Sequence, residues 1–143
     1  AHACRSADAA KRVSVRNRAG GPFPARPVAG SVPDMTNAVT LCLTTVGSEE
    51  DAARIARHLV ETKAAACVSI VSPVRSIYSW KGAIEDEKEW LLLVKTALPP
   101  EELRDALRAV HPYEVPEFLA FPASFADEAY AKWVREGSGG LVS

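Results

Sequence analysis

Alternating and continuous runs of apolar residues predict strands and helices along this chain. Residues 64–96 contain two runs rich in β-branched, small and aromatic residues, with Lys81-Gly82 as the turn signal between them. As a strand, the run from Ala65 to Trp80 would extend roughly 50 Å, whereas a usual strand has about 5–6 residues. An arm of that length leaves a strand edge that its own domain does not cover, which favours pairing with another chain. The pattern predicts long hairpin strands and oligomerisation.

Shorter patterns on both sides of this hairpin predict the other elements. Residues 39–46 are apolar and β-branched, as in a buried strand, and a helix follows the capping residue Ser48. A second helix is predicted between Pro99 and His111, a short strand over 117–121, and a last helix from Ser124 to Gly137. The first helix would bury an apolar stripe formed by Ala52, Ile55, Ala56 and Leu59. The order predicts an α+β, ferredoxin-like β-α-β-β-α-β sandwich with an extra C-terminal helix.

The two ends of the chain show no periodic pattern of apolar residues. Residues 1–35 are predicted to be a disordered N-terminal extension, with six basic side chains and two acidic ones. This Arg-rich composition is typical of a transit-peptide remnant. Met35 is the only methionine, so an alternative is that the true start lies there and the upstream part is an artefact. Residues 36–137 form the predicted domain, and residues 138–143 a disordered tail.

Composition limits the classes of function. The 143 residues, 48% hydrophobic and 24% charged, fit one soluble globular domain, and no apolar run approaches the roughly 18–20 residues of a membrane span. Beyond residue 35 acidic side chains outnumber basic ones, which disfavours nucleic-acid binding. Three cysteines at long spacing argue against a disulfide framework and for a reducing compartment. A cytoplasmic location is expected, or a plastid or mitochondrial one if residues 1–34 are a transit peptide.

Four motifs in order carry a family resemblance. They are AACVSI (65–70), SIYSWKG (76–82), LLLVKT (91–96) and HPYEVPE (111–117). Together they resemble the CutA family of divalent-cation tolerance proteins, over roughly residues 39–136. The resemblance implies a ferredoxin-like subunit in a tight homotrimer, similar in architecture to PII signalling trimers. The chain departs from the family pattern at Ser69 and at Ser72-Pro73, although Pro73 should still bend the first long strand.

Large side chains of the hairpin are candidates for the trimer interface, because aromatic residues dominate buried contacts between subunits. We assign Ile77, Tyr78, Trp80 and Trp90 to this interface.

The resemblance also implies a copper site. Copper-binding members are thought to use a first-strand thiol, the Cys of AACV and the His of HPY; Cys67 and His111 match the last two. The first-strand position holds Thr44, and Cys42 is a candidate substitute two residues earlier. The alternatives are that both cysteines are buried small hydrophobes and that His111 complements a helix C-terminus. Without a CxxC or HxxxH pair, Cu²⁺ or another divalent cation would bind weakly and would not be required for folding.

A second candidate site is a cleft between subunits. A cation, a phenol and an imidazole near the ends of elements could converge on a small ligand, and its candidate residues are Tyr78, Lys95, His111, Tyr113 and Glu117. This cleft supports an alternative function, a PII-like signalling or scaffold trimer that binds a small molecule or a protein partner. The acidic run 85–89 is interpreted as a solvated hairpin tip, with hard-cation binding as the alternative.

Signatures of enzymes are absent from the sequence. No GxSxG elbow or Gly-rich phosphate loop occurs, and a Cys67–His111 nucleophile–base pair is not favoured. The sequence favours a non-enzymatic homotrimer that acts in divalent-metal, especially copper, tolerance. Its expected partners are other copies of the chain and divalent metal ions.

Overall fold

The structure is a computed structural model, and it describes residues 39–139. Four strands form one antiparallel sheet in the order β2-β3-β1-β4: β1 is Thr40–Val46, β2 Cys67–Trp80, β3 Ala83–Thr96 and β4 Leu119–Pro122. The helices are α1 Glu49–Glu61, α2 Pro100–Arg108 and α3 Glu128–Gly137. This order confirms the predicted ferredoxin-like fold with its extra C-terminal helix. The predictions for residues 1–35 and 140–143 lie outside the described residues.

Capping residues mark both ends of helix α1, Ser48 at its start and Thr62 at its end. The Ser48 side chain accepts a hydrogen bond from the Asp51 N–H at 3.1 Å, and three acidic residues occupy the positive end of the helix dipole. The predicted stripe Ala52, Ile55, Ala56 and Leu59 is buried, as expected. After the cap at Thr62, Lys63 adopts the left-handed conformation with φ 60°. A position of this kind usually holds glycine, so the helix ends on a strained residue.

Helices α1 and α2 cover one face of the sheet. Alternate residues of β1 and β3 point into this layer, where Cys42, Val46, Leu92 and Val94 are buried. Opposite them lie the buried helix residues Ile55, Leu59, Leu103 and Leu107. Burying one such aliphatic side chain contributes about 1.5–3 kcal/mol, so this layer is the main source of stability.

The other face of the sheet is apolar and partly exposed. The register places side chains in rows across it, and the apolar members from β1, β3 and β4 are Leu41, Leu43, Leu91, Leu93, Leu119 and Phe121. We call these six residues the open face. Leu119 and Phe121 are about half exposed, at 49% and 48%. The continuous apolar run 90–94 is typical of a strand covered on both faces, yet within one chain only Leu92 and Val94 are fully covered.

The hairpin of β2 and β3 is as long as predicted, with 14 residues in each strand. Lys81 and Gly82 both have positive φ, 48° and 80°, as a two-residue turn matched to strand twist requires. The register shifts between Val71 and Val74, so Ser72-Pro73 forms a bulge and the expected bend is present. The acidic run 85–89, interpreted from the sequence as a solvated hairpin tip, lies within β3 and is paired to β2.

Helix α3 closes one end of the sheet. Its N-cap is Asp127, which accepts from the Tyr130 N–H, so the helix begins later than the Ser124 start expected from the sequence. Ser138, expected in a disordered tail, is buried. Its hydroxyl donates to the Val134 carbonyl at 2.6 Å and accepts from the Ala97 N–H at 2.9 Å. These two bonds tie the end of α3 to the end of β3.

Candidate functional site

His111 is held by hydrogen bonds on both ring nitrogens. Strand β4 pairs with β1 only as far as Leu43, so the next part of the β1 edge is open to other groups. His111 Nε2 lies 3.0 Å from the Thr45 carbonyl, and Nδ1 accepts from the Tyr113 N–H at 3.1 Å. This pattern requires the neutral tautomer with its proton on Nε2, because Nδ1 is an acceptor. Burial also lowers the pKa of His111.

The two described cysteines lie on opposite faces of the sheet. Cys42 is fully buried among the helices, and burial raises the pKa of its thiol to about 12. Cys67 is half-buried on the other face, paired across the strands with Lys95. A sheet therefore separates the two sulfurs, so the structure of one chain does not bring them together.

Cys67 and His111 also lie at different levels of the sheet. Cys67 is paired with Lys95 of β3. His111 bonds to Thr45, which is paired with Leu91 of β3. Leu91 and Lys95 are four residues apart, which is roughly 13 Å along the strand. Within residues 39–139, no group of three His, Cys, Asp or Glu side chains is placed to hold a metal ion. The copper ligand set stays a prediction, and one chain alone does not form it.

A groove of about 1060 Å³ lies between the distal part of the long hairpin and the connection 112–117. We call it the Tyr78–Tyr113 groove. Its wall includes the phenol of Tyr78, and Tyr113 donates its hydroxyl proton to Glu89 Oε2 at 2.9 Å. Of the predicted cleft residues, Tyr78, Tyr113 and Glu117 line this groove, and the His111 ring packs edge-on against Tyr113 at 5.0 Å.

Acidic groups dominate the electrostatics of the groove. Burial raises the pKa of Glu117, and the neighbouring Glu89 raises it further. The pKa of Tyr113 is raised by burial and by its bond to Glu89. The pKa of Tyr78 is raised by burial and by the glutamates of β3 that face it. Each of these shifts means that additional negative charge is disfavoured here.

Lys95, the remaining predicted cleft residue, lies elsewhere. Its Nζ donates to the Ser69 hydroxyl at 2.6 Å and to the Leu93 carbonyl at 3.1 Å. Among the ion pairs within residues 39–139, none involves Lys95. Ser69, where the chain departs from the family pattern, thus provides a partner for the ammonium group.

The predicted interface residues occupy different environments. Ile77, Tyr78 and Trp80 are exposed on the distal hairpin, at 64%, 40% and 40%. Trp90 instead packs against the core beneath the helices. Their role in assembly stays a prediction.

Glu89 was not among the predicted site residues, because the acidic run 85–89 was interpreted as a solvated hairpin tip. It is only 5% exposed. The signal lay in strand parity, because Glu89 alternates in phase with Leu91 and Leu93 and so lies on their side of the sheet. Its neighbour Glu87 has the same parity but lies further out on the hairpin, where it remains exposed.

Comparison with known proteins decides the family. A family model described as CutA1 divalent ion tolerance protein matches residues 40–137. The chain belongs to the CutA1 family. This confirms the resemblance carried by the four motifs.

Individual CutA relatives agree in sequence and in structure. The divalent-cation tolerance protein CutA of Thermus thermophilus is 47% identical over 100 residues, covering 68% of this chain and 95% of that protein. A solved structure of the divalent cation tolerance protein from the same organism gives a TM-score of 0.66 at 44% identity, over 71% of this chain and 99% of that one.

One plant relative carries a compartment in its name. Protein CutA, chloroplastic, of Arabidopsis thaliana is 35% identical over 95 residues, covering 66% of this chain and 52% of that protein. For this chain, residues 39–139 contain no helix long and apolar enough to cross a membrane.

Proposed function

We propose that this CutA1 family chain is a non-enzymatic homotrimer that serves divalent-cation tolerance and binds copper weakly. The observation that carries the proposal is the family match over residues 40–137, whose description names divalent-ion tolerance. That description favours this role over the signalling or scaffold alternative. The relative from Thermus thermophilus is likewise named a tolerance protein and not an enzyme.

The open face supports assembly into a trimer. Four of its six apolar side chains are partly exposed, and Leu119 and Phe121 are about half exposed. Burying apolar surface gains about 25 cal/mol per Å². The long hairpin adds a second means of contact, because β2 and β4 are the two edge strands of the sheet. In a cyclic trimer, each chain contacts its two neighbours through two different surfaces. The open face and the free edges of the sheet are two such surfaces.

The accessible thiol supports copper binding at Cys67. Copper binds soft thiolate ligands well, and Cys67 is half-buried whereas Cys42 is fully enclosed. His111 would have to give up a hydrogen bond to ligate a metal. In this proposal Cys67 is the contacting ligand, and further ligands come from a neighbouring copy. Within residues 39–139 each chain offers one accessible thiol, which accounts for weak affinity.

Titration calorimetry with Cu²⁺ tests the copper proposal on the full chain, reduced and kept anaerobic. We expect Cys67→Ser to weaken binding by at least about tenfold, because it removes the soft ligand. Cys42→Ser is the matched control, since it makes the same change at a buried thiol and should leave the affinity unchanged. A lower copper affinity in His111→Ala would identify the imidazole as a second ligand. Equal affinity in wild type and Cys67→Ser would contradict the site.

The compartment also stays a prediction. The cytoplasmic and the plastid or mitochondrial interpretations differ in the N-terminus of the mature protein. Mass spectrometry of the native N-terminus distinguishes them, because a transit peptide is removed on import.

A further inference from the structure

Lys95 holds a positive charge beside the Cys67 thiol. The two residues are directly paired between β2 and β3, and side chains in such pairs have Cβ atoms about 4.5–5.5 Å apart. Lys95 Nζ donates to the Ser69 hydroxyl at 2.6 Å, and that hydroxyl lies 4.0 Å from Cys67 Sγ. One shared hydroxyl therefore keeps the ammonium group close to the sulfur. Both residues belong to one chain, so their juxtaposition does not depend on assembly.

The sheet around this pair offers no negative charge to offset the ammonium group. On the same side, the neighbouring register positions hold neutral side chains: Leu41, Ser69, Leu93 and Phe121. Among residues 39–139, none of the ion pairs includes Lys95. The first carboxylate along β3 on this side is Glu89, six residues and roughly 20 Å from Lys95. The Tyr130 hydroxyl also lies near Cys67, and burial raises its pKa, so it adds no negative charge.

The charge and the softness of an ion both affect its binding at such a thiol. Repulsion between the ammonium group and a bound ion is proportional to the charge of the ion, so it is twice as large for Cu²⁺ or Zn²⁺ as for Cu⁺. Soft thiolate ligands also favour Cu⁺. Further anionic ligands would offset the repulsion of a dication, but no group of three His, Cys, Asp or Glu side chains within residues 39–139 supplies them. Both effects favour the monovalent ion.

We propose that Lys95 sets the charge selectivity of the Cys67 site, so that the site takes copper as Cu⁺ in preference to divalent cations. This inference rests on the copper binding proposed above, and it adds the oxidation state of the bound ion and a residue that selects it. Lys95 does not ligate the metal; it acts through its charge, and Ser69 holds the ammonium group in place. The same repulsion accounts for weak binding of divalent ions.

Paired titrations of the reduced, anaerobic full chain test this selectivity. Calorimetry measures the affinity for Zn²⁺, a divalent probe that thiols do not reduce, and competition with the chromophoric chelator bicinchoninate measures the affinity for Cu⁺. Lys95→Met removes the charge and keeps a side chain of similar length. We expect it to strengthen Cu⁺ binding about threefold and Zn²⁺ binding about tenfold, because the repulsion is twice as large for the dication. The preference for Cu⁺ should therefore fall about threefold.

Three further variants separate the charge of Lys95 from its other properties. Lys95→Arg keeps the charge and should keep the wild-type preference. Lys95→Gln removes the charge but keeps a donor for the Ser69 hydroxyl, so it should lower the preference as Lys95→Met does, even if the methionine variant folds poorly. Lys81→Met makes the same charge change at the turn of the hairpin, at the opposite end of β2 from Cys67, and should have no effect.

The outcomes distinguish the selectivity from the copper site itself. If Lys95→Gln and Lys95→Met bind both metals with the wild-type preference, the selectivity alone is overturned. A preference that falls equally in Lys95→Arg would also overturn it, because the charge is retained there. If neither Cu⁺ nor Zn²⁺ binds to the wild-type chain, or if Cys67→Ser leaves both affinities unchanged, the copper site fails and the selectivity fails with it.

Discussion

His111 illustrates how hydrogen bonds set the chemistry of a single residue. Its position after helix α2 favours a charged imidazole that complements the helix dipole. The structure instead gives it one carbonyl acceptor and one N–H donor, which only the neutral ring satisfies. The motif HPY identifies the residue. Its protonation depends on the pairing of β4 with β1, which extends only as far as Leu43 and which the sequence around His111 does not encode.

This neutral histidine predicts a loss of stability in mild acid. The folded pKa lies below the ordinary value of about 6.5, so the unfolded state takes up the proton first as pH falls. Its contribution is complete above about pH 6.5 and is lost as pH falls through the folded pKa. Among the charged neighbours, Asp51 and Glu89 raise this pKa and Arg54 lowers it.

Urea unfolding of wild type and His111→Gln checks this sign. We expect the stability difference between them to be largest at pH 7.5 and smaller at pH 5, because glutamine does not titrate. A difference that stays constant, or grows towards pH 5, would contradict a neutral, buried His111.

Elements with strong local signals were predictable from the sequence. Helix α1 carries its cap at Ser48 and its stripe at helical spacing, and the turn carries Lys81-Gly82; all of these appear in the structure. The start of β3 was not predictable, because residues 85–89 are polar and become a strand only through pairing with β2. The late start of α3 at Asp127 has a similar cause, since both Ser124 and Asp127 are suitable caps.

The end of α1 offers a stabilising substitution. Lys63 has φ 60°, a conformation that costs a residue with a side chain about 1–2 kcal/mol. Glycine adopts it without this cost, but glycine also raises the conformational entropy of the unfolded chain, which offsets part of the stabilisation. We expect Lys63→Gly to raise the free energy of unfolding by about 0.5–1 kcal/mol. Urea unfolding measures it. Lys63→Ala removes the same charge but keeps the Cβ atom, so an equal gain there would exclude backbone strain as the cause.

For the whole molecule, the open face is the surface that favours self-association. The sequence predicted self-association from the length of the hairpin, and the structure adds an apolar sheet face that the run 90–94 only suggested. Four motifs were enough to predict the fold and the family: three lie in or next to the long hairpin of the sheet, and the fourth, residues 111–117, connects α2 to β4. The groove was only partly predictable, since Tyr78, Tyr113 and Glu117 meet through tertiary packing while Lys95 lies elsewhere.

Substitution on the open face tests which surface assembles. Leu93→Asp places a charge in the middle of that face, where assembly would have to bury it, so we expect at least about a tenfold weakening of self-association. Val60→Asp makes a comparable change at an exposed position on α1, at 41% exposure, and should leave assembly intact. Sedimentation over a concentration series compares the two, and equal effects would exclude the open face as the specific interface.

Light scattering of the full chain in solution measures the mass of the assembled protein. We expect three times the chain mass of 15.3 kDa at micromolar concentration, because assembly would cover the open face and the free edges of the sheet. A mass of 15.3 kDa that persists as concentration rises would contradict the trimer and the function proposed for it.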